Sequence, residues 1–451
     1  MTGRWHRPLL PAYLGLCLLL GGSTEGVWTN LALQLGAIPL IALSLATVGG
    51  DQTPRRARHL LAIAFGAIAI VVLQLVPLPP SVWASLPGRG FVAHGFTLLG
   101  EPLPWLPLSL TPVQTIVSGC FLLPPLAVIL WIIRGGALSL RATIAVLLVV
   151  GVAGAALGLR QIATGDLNLY FYAFSNWGKA PGFFANSAHM AILMLASVPF
   201  LAALAIDLND GGRKGGKGTA VAFAGTAILL VLLASIAVNS SGAVLALTAP
   251  VLFLSVALWG GRGVAWLRRL AFPIGLVAIT GAVALTYLSG RSQASNQTSL
   301  DTRSVIWTHS REALDKFGVA GSGVGSFAEI YRRFEPPATI ELTYVNHAHN
   351  DFLELALETG LPGIVLIALF LLWWGRAAWT AWRGPYENAY ARAATIASGA
   401  ILIHEMVEFP LRSPAIAALF AMCVGLMAMV STLSGKRLDG DLWTSRHLVV
   451  D

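Results

Sequence analysis

Apolar residues recur along most of the chain in blocks of about 17 to 25, the length at which a helix crosses a bilayer core of about 30 Å. The blocks fall at approximately 8 to 24, 27 to 48, 59 to 78, 112 to 133, 142 to 159, 186 to 206, 219 to 237, 243 to 260, 270 to 288, 362 to 380, 392 to 408 and 414 to 433. They predict an all-α fold, a polytopic integral membrane helix bundle of about twelve transmembrane helices; short alternating strands, which a membrane β-barrel needs, are missing from the pattern. Between the ninth and tenth blocks lies one long polar stretch, 289 to 361. The chain therefore divides into N-terminal helices over 1 to 135, central helices over 136 to 288, a large loop over 289 to 361, C-terminal helices over 362 to 433 and a tail over 434 to 451. The first block follows Arg4 and Arg7 as a signal peptide would, but lacks a small-residue cleavage site, and it reads as a retained helix. The Pro-rich run from Leu78 to Pro112 predicts an outer connection with an interfacial helix around Val82 to Phe96.

Composition fixes the class and charge fixes the orientation. Hydrophobic residues make up 56% and charged residues 11% of the sequence, whereas a soluble domain carries about 25% charged residues. Lys and Arg are held on the cytoplasmic side during insertion. Arg4, Arg7, Arg55, Arg56, Arg58, Arg134, Arg141, Arg213, Lys214, Lys217, Arg268 and Arg269 all fall on one side, whereas the short loops opposite hold only Arg89, Arg160, Lys179 and Arg412. Both termini are thus expected in the cytoplasm and residues 289 to 361 outside it. The net charge of +8 is this topology signal together with contact to anionic membrane lipids, and calls for no nucleic-acid partner. Cys17, Cys120 and Cys423 all lie inside apolar blocks and suggest neither a disulfide framework nor a metal site.

Ionisable residues near a membrane are costly unless paired or used, and on the outer side they gather in a few segments. Lys179 to His189 precedes the sixth block and contains Asn186; Asp301 to Trp307 contains Arg303; His404 to Pro414 contains Glu408 and Arg412; and His347-Ala348-His349-Asn350-Asp351 opens the approach to the tenth block. Asn350 or Asp351 is a good N-cap for a helix beginning at Phe352, which would hold His349 just outside the helix N-terminus. Asp351, Glu354 and Glu358 share one face of that helix. A neutral imidazole suits removal of a proton from a sugar hydroxyl, with a neighbouring carboxylate to orient it. Two other readings stand beside this one: a solvated acidic surface helix, and a metal site built on His347, His349 and Asp351, in which case Glu358 or Glu408 would be the next bases to test.

His349-Asn350, nine residues, then Gly360-Leu361-Pro362-Gly363 resembles the His-Asn-x9-Gly-x-x-Gly signature of the bacterial O-antigen ligase and polymerase family of membrane proteins. Gly182 to Ala191, Arg303 to Trp307, and Gly321 to Phe327 are similar to further motifs of that family, and the resemblance runs from about residue 150 to 430. Ser240-Ser241-Gly242 stands where many members have Ser-Arg-Gly, and Ala188 replaces an Asn. Membership implies a metal-independent enzyme without cofactor in the bacterial inner membrane, its large loop periplasmic. It would transfer an undecaprenyl-pyrophosphate-linked glycan to a sugar hydroxyl of lipid A core or of a growing glycan. His349 matches the essential histidine. Arg303 and Lys179 are the first candidates to hold pyrophosphate and Arg412 the next, with Asn186, His189, Asn350 and Glu358 as further substrate-binding candidates. The alternative is a twelve-helix transporter or flippase of a lipid-linked glycan, which should carry polar groups or broken helices at the bilayer midplane. Here the apolar blocks are nearly free of charge, which favours the enzyme.

Overall fold

A computed structural model describes residues 8–24, 26–46, 53–134, 139–210, parts of 224–233, 242–258, 294–337, 340, 345–383 and 389–429. The described chain is nearly all helical. In order, the helices are α1 (Leu9–Leu20), α2 (Trp28–Ala46), α3 (Arg55–Leu75), α4 (Pro80–Trp83), α5 (Gly90–Leu99), α6 (Pro112–Cys120), α7 (Leu123–Arg134), α8 (Leu140–Thr164), α9 (Ser187–Asp210), α10 (Gly242–Ala257), α11 (Ala294–Phe317), α12 (Phe327–Tyr331), α13 (Asp351–Arg383), α14 (Ala389–His404) and α15 (Pro414–Ala428). Two short strands, β1 (Pro77–Leu78) and β2 (Leu106–Pro107), pair antiparallel and clip the outer connection shut around α4 and α5.

Six stretches among the described residues are long and apolar enough to cross a membrane: Trp28–Ala46, Arg55–Leu75, Pro112–Arg134, Leu140–Thr164, Ser187–Leu208 and Asp351–Arg383. The expected number of twelve is not confirmed among the described residues. The first block yields a helix of only 12 residues, and the blocks at 219 to 237 and 270 to 288 lie mostly or wholly outside the described residues, as does the tail. The fourth block is two helices, α6 and α7, separated at Phe121 and Leu122. The eleventh ends at His404 rather than at residue 408, which leaves Glu405 and Glu408 in the connection to α15. The expected interfacial helix is likewise two, α4 and α5, and the polar stretch 289 to 361 contains the 24-residue helix α11.

The core is a bundle in which α14 packs on α9 and α15, α7 on α2 and α15, α1 on α8 and α15, and α13 on α3. Small residues allow this. Gly158 of α8 lies against Ala180, where an added Cβ would meet the Ala180 carbonyl oxygen at 2.8 Å, as in close membrane-helix packing. Three tryptophans in the C-terminal half of α13 are structural: Trp373 donates to the Arg56 carbonyl at 3.0 Å, Trp374 to Ser398 at 2.9 Å and Trp382 to Thr395 at 2.9 Å. The two ends of the bundle differ in chemistry. At one end Asp207 accepts from Arg141 at 2.7 Å and from Tyr390 at 2.7 Å, joining α8, α9 and α14. At the other end, the N-termini of α9 and α13 and the C-terminus of α14 bring the histidine segments together.

Helix α13 is broken at Gly360, whose φ of 61° and ψ of −151° are open to glycine and strained for other residues. The break and Pro362, which has no N–H, deprive Leu357 and Glu358 of their usual helical donors. The Gly321 to Phe327 segment supplies replacements. Ser322 N donates to the Leu357 carbonyl at 3.0 Å, Gly323 N to the Glu358 carbonyl at 2.9 Å, and Gln74 of α3 adds a bond to the same carbonyl at 2.9 Å. Leu361 N turns to Val319 O at 3.0 Å. The glycine-rich motif is thus the splint of a broken helix.

Substituting Gly360 tests the splint, because an added Cβ would meet the Val319 carbonyl oxygen and lie 2.7 Å from Gly321 N. Gly360→Ala is expected to destabilise the protein by about 2 kcal/mol or more. The expected reading is a lower melting temperature and lower yield of monodisperse protein in detergent. Wild-type melting would refute it.

Candidate functional site

The site is built on a short strained segment. His349 has φ 50°, a left-handed conformation uncommon for a residue with a side chain. Both neighbours are pinned. Asn350 caps α13, its Oδ1 accepting from Leu353 N at 3.1 Å. The Ala348 peptide is clamped on two sides, its N–H donating to Glu354 Oε2 at 2.7 Å and its carbonyl accepting from Trp307 Nε1 at 2.9 Å. Trp307 lies one helical turn beyond Arg303 on α11, so the spacing Arg-x-x-x-Trp puts both side chains on the face toward the site. A small outer core of Ile306, Ala313, Phe317, Phe327, Ile330, Tyr331, Ala348 and Leu357 fixes α11 and α12 against the start of α13.

His349 Nδ1 lies 3.2 Å from Glu408 Oε2, and Arg303 Nη2 pairs with the other oxygen of the same carboxylate. Burial pushes the Glu408 carboxyl up, but His349 and Arg303 outweigh it and hold the group well below the usual carboxylate range. An ionised Glu408 requires a proton on Nδ1 of His349, which leaves Nε2 as the ring nitrogen turned away from the carboxylate. The ring is partly open, its side chain 28% exposed. Phe409 sits among three imidazoles, its ring centre 4.3 Å from that of His347, 5.0 Å from His349 and 5.4 Å from His189.

Asp351, Glu354 and Glu358 do share a helix face, and Arg412 reads all three: its guanidinium pairs with Asp351, lies 3.1 Å from Glu354 and 3.4 Å from Glu358. Burial disfavours the Arg412 charge, but the three carboxylates more than restore it and keep it protonated. Glu358 also accepts from Gly325 N at 3.0 Å and Phe327 N at 3.2 Å. Glu405, buried beside Asp351 with Leu411 N on one oxygen at 2.8 Å, is pushed well above the usual carboxylate range by burial and then by Asp351.

These placements sort the residues that the sequence singled out. Arg303 and His349 meet through Glu408. Arg412 and Glu358 are tied into the buried network, and the Oδ1 of Asn350 is taken by the helix cap, so these three hold the fold of the site together. Asn186 caps α9 through Ala188 N at 2.8 Å and also lines a cleft beside His349; His189 is buried on the same cleft with neither ring nitrogen bonded among the described residues. Lys179 stands exposed on the loop before α9, its carbonyl accepting from Tyr170 at 3.0 Å. His347 turns to Glu354 at 2.9 Å, His349 to Glu408 and Asp351 to Arg412, so the three do not converge on a common point. Among the described residues no group of His, Cys, Asp and Glu is arranged to hold a metal ion. The carboxylate that orients His349 is not on α13. The partner, Glu408, lies 59 residues away; the signal was an acid left at the outer end of a membrane block.

Fold and site together define a polytopic membrane protein whose ionisable groups collect at one end of the bundle around a partly exposed histidine. Residues 226–384 match the family model described as O-Antigen ligase. The match supports a place in the O-antigen ligase family, and with it a glycan-transferring membrane enzyme of polysaccharide biosynthesis. No match was found among curated proteins.

The Arg412 network makes its own prediction, because removing the guanidinium takes from Asp351, Glu354 and Glu358 the cation that all three share. Arg412→Ala should cost about 3–5 kcal/mol and is expected to prevent recovery of folded protein. A variant that melts like wild type by scanning fluorimetry would show the network to be dispensable.

Proposed function

We propose that the chain transfers an undecaprenyl-pyrophosphate-linked glycan to a sugar hydroxyl at the periplasmic face of the bacterial inner membrane, with His349 as the catalytic base. The observation that carries the reading is the Arg303–Glu408–His349 chain. Glu408 orients the imidazole by accepting a hydrogen bond from its Nδ1–H, so that Nε2 points a lone pair at the acceptor. In the reacting complex the acceptor hydroxyl gives its proton to Nε2 while its oxygen forms a bond to the anomeric carbon of the donor. The bond from that carbon to the pyrophosphate oxygen breaks, and the electron pair leaves with undecaprenyl pyrophosphate. Pyrophosphate is already an activated leaving group, so the protein has mainly to neutralise it, align the two substrates and accept one proton. Arg303 and the exposed Lys179 supply charge on the outer side. The separate partners of His347, His349 and Asp351 favour a reaction without a metal ion. Ligase and polymerase chemistry share this donor half and differ in the acceptor, lipid A core or a growing glycan.

The transporter reading calls for polar groups or broken helices at the midplane of the bundle; the break of α13 at Gly360 lies next to Glu358, at the edge of the ionisable cluster. The ionisable cluster around Arg412 and His349 instead sits at helix termini and in connections, as an enzyme working at the membrane surface requires.

His349→Ala and Glu408→Gln should both leave folded, membrane-inserted protein, with glycan transfer abolished in the first and reduced about 100-fold in the second. Arg303→Lys should retain more activity than Arg303→Ala, because an ammonium keeps the charge without the two-point geometry. Purified protein supplied with both substrates should stay active in excess EDTA. Full activity of His349→Ala would end the assignment; EDTA inactivation reversed by a divalent cation would make the histidine cluster a metal site.

Sidedness is tested by labelling. Cysteine introduced at Asn168, which is exposed on the loop after α8, should react with a membrane-impermeant maleimide in spheroplasts, and cysteine at Ser434 should not. The reverse pattern would place His349 on the cytoplasmic face and exclude a periplasmic reaction.

A further inference from the structure

Beside His349 the structure opens a cleft of about 340 Å³, formed where the segment after α1 meets the loop before α9. His349 and Phe409 belong to its wall, so whatever occupies it lies against the proposed base. Its chemistry differs from that of the neighbouring network. Among the described residues no Lys, Arg, Asp or Glu lines it; Arg303 and Lys179 are both outside. A pyrophosphate placed there would lose hydration and gain no cation in return.

What the wall offers is neutral hydrogen bonding and aromatic surface. Thr24, Asn186 and Asn346 contribute a hydroxyl and amides. His189, 1% exposed, lines the cleft with both ring nitrogens unpaired among the described residues; a buried polar group left unsatisfied is costly unless a ligand takes it up. At the mouth stand Trp177, 58% exposed, and Phe174, 85% exposed. Flat aromatic surface beside neutral donors and acceptors is complementary to a sugar ring, with its apolar C–H faces and hydroxyl edges.

We infer that this cleft is the acceptor subsite: it holds a neutral sugar of the acceptor glycan, stacked on Trp177 and hydrogen-bonded by Asn346 and His189, with the receiving hydroxyl directed at His349 Nε2. The donor pyrophosphate then lies on the Arg303 side of the imidazole. The inference rests on the glycan-transfer reading above and adds which substrate occupies which side, with Trp177 as a specificity-determining residue.

The test uses the full-length chain purified in detergent, with lipid-pyrophosphate donor and membrane acceptor glycolipid both extracted from a strain lacking the gene. Trp177→Ala should raise the KM for acceptor about tenfold while the donor KM stays within about twofold, and Trp177→Phe should recover most of the loss. A donor KM that rises as much as the acceptor KM, or no change in either, overturns the assignment. A second variant reads binding without turnover. Thr24→Trp fills the cleft and should abolish the thermal stabilisation given by acceptor while leaving that given by donor intact; loss of the donor effect instead would place the donor in the cleft. Activity surviving in His349→Ala would defeat the transfer mechanism itself, an outcome separate from any KM change at Trp177.

Discussion

A single cation organises the end of the bundle that carries His349. Arg412 is placed by the connection between α14 and α15 and is gripped by Asp351, Glu354 and Glu358 from the first turns of α13. Burying charge is expensive unless the partners are complete, so the α14–α15 connection and the start of α13 hold each other in one register. The same carboxylates reach further. Glu354 fixes the Ala348 peptide and His347, and Glu358 fixes the Gly325 and Phe327 amides. The backbone at His349 is therefore set by groups that do not bond its ring, which Glu408 then orients.

Beside this overdetermined network stands a lighter arrangement. His349 and Arg303 share one carboxylate, Glu408, and the imidazole edge stays open. Rigid support with one accessible reactive group is what preorganised catalysis asks for: the cost of orientation is met on folding, and no large rearrangement is required when substrate arrives. The strained φ of His349 fits the same pattern, being held by the cap on one side and the clamped peptide on the other.

The Gly321 to Phe327 segment shows how a motif can be catalytic by association. Its amides replace the donors that Gly360 and Pro362 remove from α13, and Gly325 N and Phe327 N also bond the Glu358 carboxyl. Its part is to let a membrane helix bend at the level where the site begins, and to satisfy the carbonyls this exposes away from water.

From sequence alone, the apolar blocks, the gathering of ionisable residues into a few segments, the shared face of Asp351, Glu354 and Glu358 and the capping of α13 just after His349 were all legible, because each depends on local period or local charge. The pairing of those carboxylates with Arg412 and of His349 with Glu408 was not, since it joins segments separated by dozens of residues and follows from how helix ends meet. The family match covers residues 226–384 and so contains Arg303 and His349 but neither Glu408, Arg412 nor His189. Those three enter the site only through packing of α9, α14 and α15. The broken helices, α6–α7 and α13, likewise looked continuous or shorter in the hydropathy pattern, which records how apolar a segment is and not where its backbone hydrogen bonds go. Sequence determined which residues could do chemistry at a membrane surface; tertiary structure decided which of them hold the others in place and which is left open to react.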